Sequence, residues 1–519
     1  MLLPSPEVLI RYNARVLDPA TAWRRFPDEV IRPTVYVGNR LMLRDVTQGS
    51  VRYGALQVAA KAHGLSVEPV AADQAHADAL ARSARHDPVP SYPQRVELRP
   101  LESPAVPADA WPVLQSYRAL VGEAQTPQDV ALEHLLTATT GPGIGGLPFT
   151  EGHGVGGVPF TEGHGVGPSS QYGIPGWGGR TPVNWIGPQP ARQTTFAGRR
   201  PVVAVLDTGA GVHPWLGNKI VRRYQTVDGS AGGHPLGLTD PTTDPENTGI
   251  LDDIYEGVLD SDAGHGTFIA GVIRQLCPDA DILAVRVMAS DGVVAEGDLL
   301  NSITAVLQRQ ALAQDAGRPE LAIDVVSLSL GYYHEQPDDA AFDPMLLAPL
   351  VELGARGIAV VASAGNDATD RQMFPAAFTP WAAGVVPKPD PDVVPLISVG
   401  ALNPNWRSIA LFSNGGPWVR CYRPGASIVS TVPTTFNASS QPSTVVNIPG
   451  EGTRATIDQD DFTGGFATWS GTSFAAPYLA GQIAAAVLSG RFGSLDPIDA
   501  GASVARGWGA LGHLIGIAP

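Results

Sequence analysis

The chain has 519 residues, 44% of them hydrophobic and 16% charged, which is material for two or three globular domains rather than one. A formal net charge of −16 with no basic run argues against a nucleic-acid binder, because neutralising phosphates takes clustered Lys and Arg. Its two cysteines, Cys277 and Cys421, exclude a disulfide framework; a single bridge stays open, with two unpaired thiols the preferred reading.

The N-terminus, Met1-Leu-Leu-Pro-Ser-Pro6, lacks a basic segment followed by an unbroken apolar stretch, so it does not read as a secretory signal. No run approaches the roughly 18 apolar residues that span a bilayer. The expectation is a cytoplasmic protein without a membrane partner. Residues 1–138 alternate extended and helical pieces. Thr34-Val-Tyr-Val37, Leu41-Met-Leu-Arg44, Ser66-Val-Glu-Pro-Val70 and Arg95-Val-Glu-Leu-Arg99 read as strands. Gly54–His63, residues 107–121 and residues 127–137 read as helices, which gives a small α+β domain.

Between 139 and 195 the composition changes. Leu147-Pro-Phe-Thr-Glu-Gly-His-Gly-Val-Gly-Gly157 recurs as Val158-Pro-Phe-Thr-Glu-Gly-His-Gly-Val-Gly-Pro168. Two Gly-rich copies are too few for a solenoid, and ordering so much glycine is costly, so a flexible linker is expected. Glu151, His153, Glu162 and His164 have ligand chemistry but no further ligand at fixed spacing, and the linker reading is preferred to a metal site.

From 196 to 519 the pattern is α/β. Val202-Val-Ala-Val-Leu206, Asp281–Val287, Ile323–Leu330, Ile358–Ala362 and Pro395–Val399 are apolar strands. Phe268, Ile269, Val272, Ile273 and Leu276 form one helical stripe, and Leu299, Leu300, Ile303, Val306 and Leu307 another. Continuous apolar strands between amphipathic helices imply a parallel sheet covered on both faces. Ligands of such sheets bind outside the carboxyl ends of the strands.

Four polar residues fall at or near such ends or at helix starts. Asp207 follows the first strand in Val205-Leu-Asp-Thr-Gly209, where an acid can orient a histidine; alone it reads equally as a turn residue. His265 opens a helix in Gly264-His-Gly-Thr-Phe-Ile-Ala-Gly271, with small neighbours that let another element approach, and its titration near neutrality suits a general base. Ser473, in Gly471-Thr-Ser-Phe-Ala-Ala-Pro477, stands at a helix N-terminus whose dipole and free N–H favour an alkoxide; the plain alternative is an N-cap. Asn366, in Ala362-Ser-Ala-Gly-Asn366, is expected to end a strand, where its amide can donate to an oxyanion or merely make a turn.

Taken together, and in this chain order, Asp-Thr-Gly, His-Gly-Thr-x-x-Ala-Gly, Ala-Gly-Asn and Gly-Thr-Ser-x-Ala-x-Pro resemble the subtilisin-like serine protease family (subtilases). The resemblance covers about residues 198–490. It implies an α/β, three-layer fold with a mainly parallel central sheet, preceded here by the small α+β domain. It also implies a serine endopeptidase acting on protein or peptide substrates through an acyl-enzyme, with Asp207, His265 and Ser473 as triad and Asn366 as oxyanion donor. Ser329, Leu330 and Gly331 resemble the strand that pairs with substrate, and Ser363, Ala364 and Gly365 the opposite wall of the primary specificity pocket. Phe374-Pro-Ala376 resembles the turn at the pocket floor, while Phe412-Ser-Asn414 and Pro424–Val429 resemble later core strands.

There are departures from the family pattern. Phe268 stands where many members have a second His, and Met373 is bulky where the floor is often small, so a shallow pocket for small or medium residues is expected. No cofactor is required. Calcium is common in the family, but the acidic insertion (Asp240, Asp244, Glu246, Asp252, Asp253, Glu256, Asp260, Asp262) has no EF-hand-like spacing. It reads as a solvated acidic loop before a calcium cage, with attraction of basic substrates as a third option. Residues 1–138 have the size and class of a pro-domain, or else of a permanent recognition domain. A pseudoprotease binding module would need a lost catalytic position, and none is lost. An α/β-hydrolase esterase would need another chain order and a Gly-x-Ser-x-Gly elbow.

Overall fold

The computed structural model describes residues 4–44, 46–84, 94–102, 107–122, 129–138, 172, 179–251, 255, 257–336, 344–380 and 389–519. The first 138 residues form α1 (Pro6–Arg11), β1 (Ala14–Leu17), β2 (Thr34–Leu43), α2 (Val51–Ala62), β3 (Leu65–Pro69), α3 (Ala71–Ser83), β4 (Gln94–Pro100), α4 (Ala110–Val121) and β5 (Val130–Ala138). Leu56, Ala59 and Ala60 of α2 pack with Trp111, Leu114 and Tyr117 of α4 against Leu41, Val96 and Leu132 of the sheet.

Two expectations are corrected here. The runs beginning at Thr34 and Leu41 are one strand, β2, whose middle stays in the ladder with Arg40 opposite Glu97. Residues 127–137, expected as a helix, contain β5 instead. The spacing of Leu132, Leu135 and Leu136 suits a helix locally, but partner strands are available along the segment. Leu132 lies opposite Leu41 and Val130 opposite Leu43, and those ladders override local preference.

The chain then forms β6 (Thr181–Pro182), β7 (Val202–Asp207), β8 (Val221–Arg222), α5 (His265–Leu276), β9 (Asp281–Arg286), β10 (Val293–Ala295), α6 (Glu296–Asp315), β11 (Val325–Leu328), β12 (Leu330–Gly331), α7 (Pro344–Ala355) and β13 (Ala359–Ser363). It ends with β14 (Ile397–Leu402), β15 (Cys421–Pro424), β16 (Ile428–Thr431), β17 (Val445–Ile448), β18 (Gly452–Ala455), β19 (Phe466–Trp469), α8 (Thr472–Leu488) and α9 (Ala500–Ile515). Among the described residues the central sheet is parallel throughout, in the order β15-β14-β13-β11-β7-β9-β8.

Successive side chains of a strand point to opposite faces, so an all-apolar strand needs cover on both. Val203 and Val205 of β7 meet Phe268 and Ile273 of α5 and Leu479 and Ile483 of α8. Val202, Ala204 and Leu206 meet Ile303 and Val306 of α6 and Leu350 of α7. The three layers are thus read directly from one strand. Phe412-Ser-Asn414 is loop rather than strand, and Cys277 and Cys421 are free thiols. Among the described residues, no helix is long and apolar enough to cross a membrane.

The tandem repeat lies outside the described residues. The last part of the expected linker does not behave as one: Thr181 pairs with Thr468, and buried Arg180 donates to the carbonyls of Asp260 and Ser261. Trp185 meets Trp215 edge-on, so the segment from 179 is packed against the protease part.

The two halves share a sheet. β5 leaves β2 and runs between β10 and β12, with Leu135, Leu136 and Thr137 opposite Ala295, Val294 and Val293, and Thr137 and Ala138 opposite Gly331 and Leu330. A buried charge cluster stands beside this junction. Arg95, its side chain 3% exposed, reaches Asp73 at 2.6 Å, Glu133 at 2.9 Å and Asp298 of α6 at 2.7 Å. Removing Arg95 strands the buried Asp73 and Glu133 without solvent, while Asp298 is half exposed. Arg95→Ala is expected to lower stability by about 3–5 kcal/mol in denaturant unfolding; a loss below about 1 kcal/mol, the range of an exposed ion pair, would contradict the assignment.

Candidate active site

Asp207 is the last residue of β7 and His265 the first of α5. Gly266 allows the two elements to meet, since a Cβ there would stand 2.1 Å from the Gly209 carbonyl oxygen. His265 Nδ1 lies 2.7 Å from Asp207 Oδ1, and both side chains are fully buried. Burial works against a charged imidazole, but the Asp207 carboxylate outweighs it and the net shift of the His265 pKa is upward. Its Nε2 has no hydrogen-bond partner among the described residues, so the nitrogen opposite the carboxylate is unspent.

Ser473 stands in the first turn of α8, which packs on α5 in the core. The ring of its neighbour Phe474 is 5.5 Å from the His265 imidazole. The Ser473 hydroxyl is turned to the Ser329 carbonyl at 3.3 Å, and the Ser329 hydroxyl donates to the Ser473 carbonyl at 2.9 Å. Hydrogen bonds of such sites are often long or poorly aligned in the free protein and tighten when substrate binds.

Asn366 lies beyond the end of β13 at Ser363, not on the strand as expected. Its Oδ1 accepts from Thr472 N and Thr472 Oγ1, both at 2.9 Å, which fixes the amide and turns its NH2 group to the other side. Thr472 Oγ1 also accepts from Gly365 N at 3.1 Å. Sequence reasoning missed this orienting role of Thr472, although it sits inside the quoted Gly-Thr-Ser motif.

Leu330 and Gly331 carry the ladder to β5, and Ser363 closes β13 opposite Val399. The Ala364 carbonyl accepts from Asn414 Nδ2 at 2.8 Å. Met373 fills the space between the two walls: a Cβ on Gly365 would meet its Sδ at 2.4 Å, and one on Gly331 its Cγ at 3.0 Å. Gly365 has φ +102°, which favours glycine for backbone reasons as well.

The acidic insertion is corrected. Asp252, Asp253 and Glu256 lie outside the described residues, but Asp244, Glu246, Asp260 and Asp262 are buried rather than solvated. Asp244 accepts from Tyr224 Oη and from Glu246 N, and Asp260 from Leu251 N. Glu246 takes the hydroxyls of Thr208 and Thr267 and the N–H of Gly266 at 3.2 Å, which ties Asp207's neighbour to the start of α5. Burial raises its pKa to about 7, against the pull of the two threonine hydroxyls.

Residues 198–502 match the subtilase family. An intracellular serine protease of Paenibacillus polymyxa is 27% identical over 310 residues, covering 57% of this chain and 69% of that protein. Serine protease AprX of Bacillus subtilis is 28% identical over 313 residues, covering 57% of this chain and 58% of its own length. A thermophilic serine proteinase of Bacillus sp. is 27% identical over 291 residues, covering 56% and 52%. Fold, side-chain arrangement and relatives define the class as a serine endopeptidase. The chain belongs to the subtilase family.

Glu246 gives a pH prediction. Its folded pKa lies above the ordinary carboxylate value, so its neutral form is favoured in the fold and its contribution is lost as pH rises from about 4.5 through about 7. Gln reproduces the neutral form's donor and acceptor pattern. Glu246→Gln is therefore expected to match the parent melting temperature near pH 5 and exceed it at pH 8; a difference of the opposite sign at pH 8 would contradict this.

Proposed function

We propose that Ser473 attacks the scissile carbonyl of protein or peptide substrates, with His265 as general base and then acid, and Asp207 orienting the imidazole and stabilising its charged form. The observation that carries this reading is the buried Asp207–His265 contact of 2.7 Å at the end of β7, with the start of α8 packed beside it. The Ser473 N–H and the Asn366 amide, held by Thr472, supply two donors for the oxyanion. Such a donor is worth about 10²–10³ in kcat. The acyl-enzyme is released by water activated through the same histidine.

The role of residues 1–138 is the second part of the proposal. An extended substrate adds a strand to an open edge; β12 follows Ser329, which bonds Ser473, and β10 lies across the lane from β12. β5 fills both. That placement supports a pro-domain that blocks the cleft until cut, over a permanent recognition domain beside an open one. A site of action inside the cell is supported by relatives named as intracellular serine proteases in Paenibacillus polymyxa and Bacillus subtilis.

Mass spectrometry of the purified protein tests both parts. The wild type is expected to show cleavage within residues 139–200, and Ser473→Ala to stay whole. A wild type that is intact and active would contradict the pro-domain role, and cleavage persisting in Ser473→Ala would contradict the nucleophile. Met373 between Gly331 and Gly365 points to small or medium residues before the scissile bond. Peptide-library profiling is expected to show that preference and to shift toward aromatic residues in Met373→Ala; a strong aromatic preference in the parent would refute it.

A further inference from the structure

Two carboxylates of the protease part face the lane that β5 occupies, and one side chain of β5 answers both. His134 Nδ1 is 2.8 Å from Glu296 Oε2, its Nε2 is 3.0 Å from Glu335 Oε2, and its backbone N–H donates to Glu296 at 3.2 Å. Glu296 opens α6 directly after β10, while Glu335 follows β12, so each rail of the lane contributes one acid. Glu296 is 2% exposed and Glu335 1%. Tyr332 stacks on the imidazole with centroids 4.3 Å apart, and His334 tilts against it at 5.1 Å.

A ring with a carboxylate at each nitrogen carries both protons. Burial opposes that charge, yet the bonds to Glu296 and Glu335 outweigh it and hold the His134 pKa at about 10. Glu335 is held far below the ordinary carboxylate range despite its burial, by His334, His134 and Arg118. Arg118 of α4 stands 3.7 Å from Glu335 and His334 Nδ1 3.2 Å from it. Because both His134 nitrogens are spent on acids, the group reads as a cation and not as a metal ligand, which would need an unprotonated nitrogen.

Register fixes where this position falls on a substrate. Ala138 lies opposite Leu330 and Thr137 opposite Gly331. The residue before Leu330 is Ser329, whose carbonyl receives the Ser473 hydroxyl. A substrate in the same register places the residue bearing the scissile carbonyl opposite Ser329. Ala138 then marks the second residue before the cut, and His134 marks the sixth.

We propose that Glu296 and Glu335 form a cation subsite that selects Arg, Lys or protonated His at the sixth residue before the scissile bond. The subsite rests on the protease reading and on substrates following the β5 lane. When β5 and Arg118 leave, the two carboxylates lose the His134 and Arg118 cations together with the cover those elements give, and a basic substrate residue in the lane restores both. An acidic residue at that position adds a third negative charge, so the subsite rejects as well as selects.

The test uses the full-length protein and two independent readouts. Quenched fluorogenic peptides differing only at the sixth residue are expected to give kcat/KM in the order Arg, Ala, Glu, with about tenfold or more between first and last. The double variant Glu296→Gln, Glu335→Gln is expected to flatten that order. In the intact chain, the rate at which a fluorophosphonate labels Ser473 is expected to rise in His134→Ala and His134→Glu and to stay near the parent rate in His134→Arg. Equal cutting of the three peptides by a chain that labels, or equal labelling of all four chains, overturns the subsite. A protein that neither labels nor cuts in any form removes the protease reading itself, and the subsite with it.

Discussion

The contact between Asp207 and His265 is the constraint to which the rest of the protease part is fitted. It requires a strand end and a helix start to meet in a space that excludes water, and it fixes several neighbours. Gly266 has no side chain because the Gly209 carbonyl occupies the place of one. Thr208 and Thr267 turn their hydroxyls to Glu246, which sits at the first turn of α5. The two layers of helices hold β7 from both faces, so the position of Asp207 is set by packing rather than by the loop that follows it. Hydrogen bonds and charges buried this deeply act in a low-dielectric setting, where they are strong when paired and costly when not.

The same economy governs the junction between the two halves. β5 gives its edges to β2 first and to β10 and β12 afterwards, so the N-terminal sheet is completed by strands of the protease part. Cations of β4, β5 and α4 are paired across that boundary: Arg95 with Asp298, His134 with Glu296 and Glu335, Arg118 with Glu335. Cations come from the N-terminal side and acids from the protease side. An overall acidic chain thus places part of its negative charge against cations of its own N-terminal half.

Much of the protease part was legible because its signals are local. An all-apolar strand, a helical stripe and a glycine beside a histidine each announce themselves within a few residues, and their order along the chain supplied the rest. What was not legible depends on distant partners. Residues 127–137 have a helical spacing that only the presence of β2, β10 and β12 overrules. Glu246 reads as one more acid in a polar loop until Thr208 and Thr267, from two other segments, are seen to enclose it. His134 is separated from Glu296 by 162 residues and from Glu335 by 201, and no spacing rule joins them. Asn366 was expected at the end of a strand, but its placement past β13 and its fixing by Thr472 depend on α8, more than a hundred residues away.

The account is tested most directly by replacing Asp207 with Asn and measuring kcat together with the melting temperature. Asn keeps the shape and removes the charge that holds the His265 ring in its working tautomer. The expected result is a folded protein whose kcat falls by on the order of 10⁴. An Asp207→Asn protein that folds and turns over at the parent rate would contradict the account.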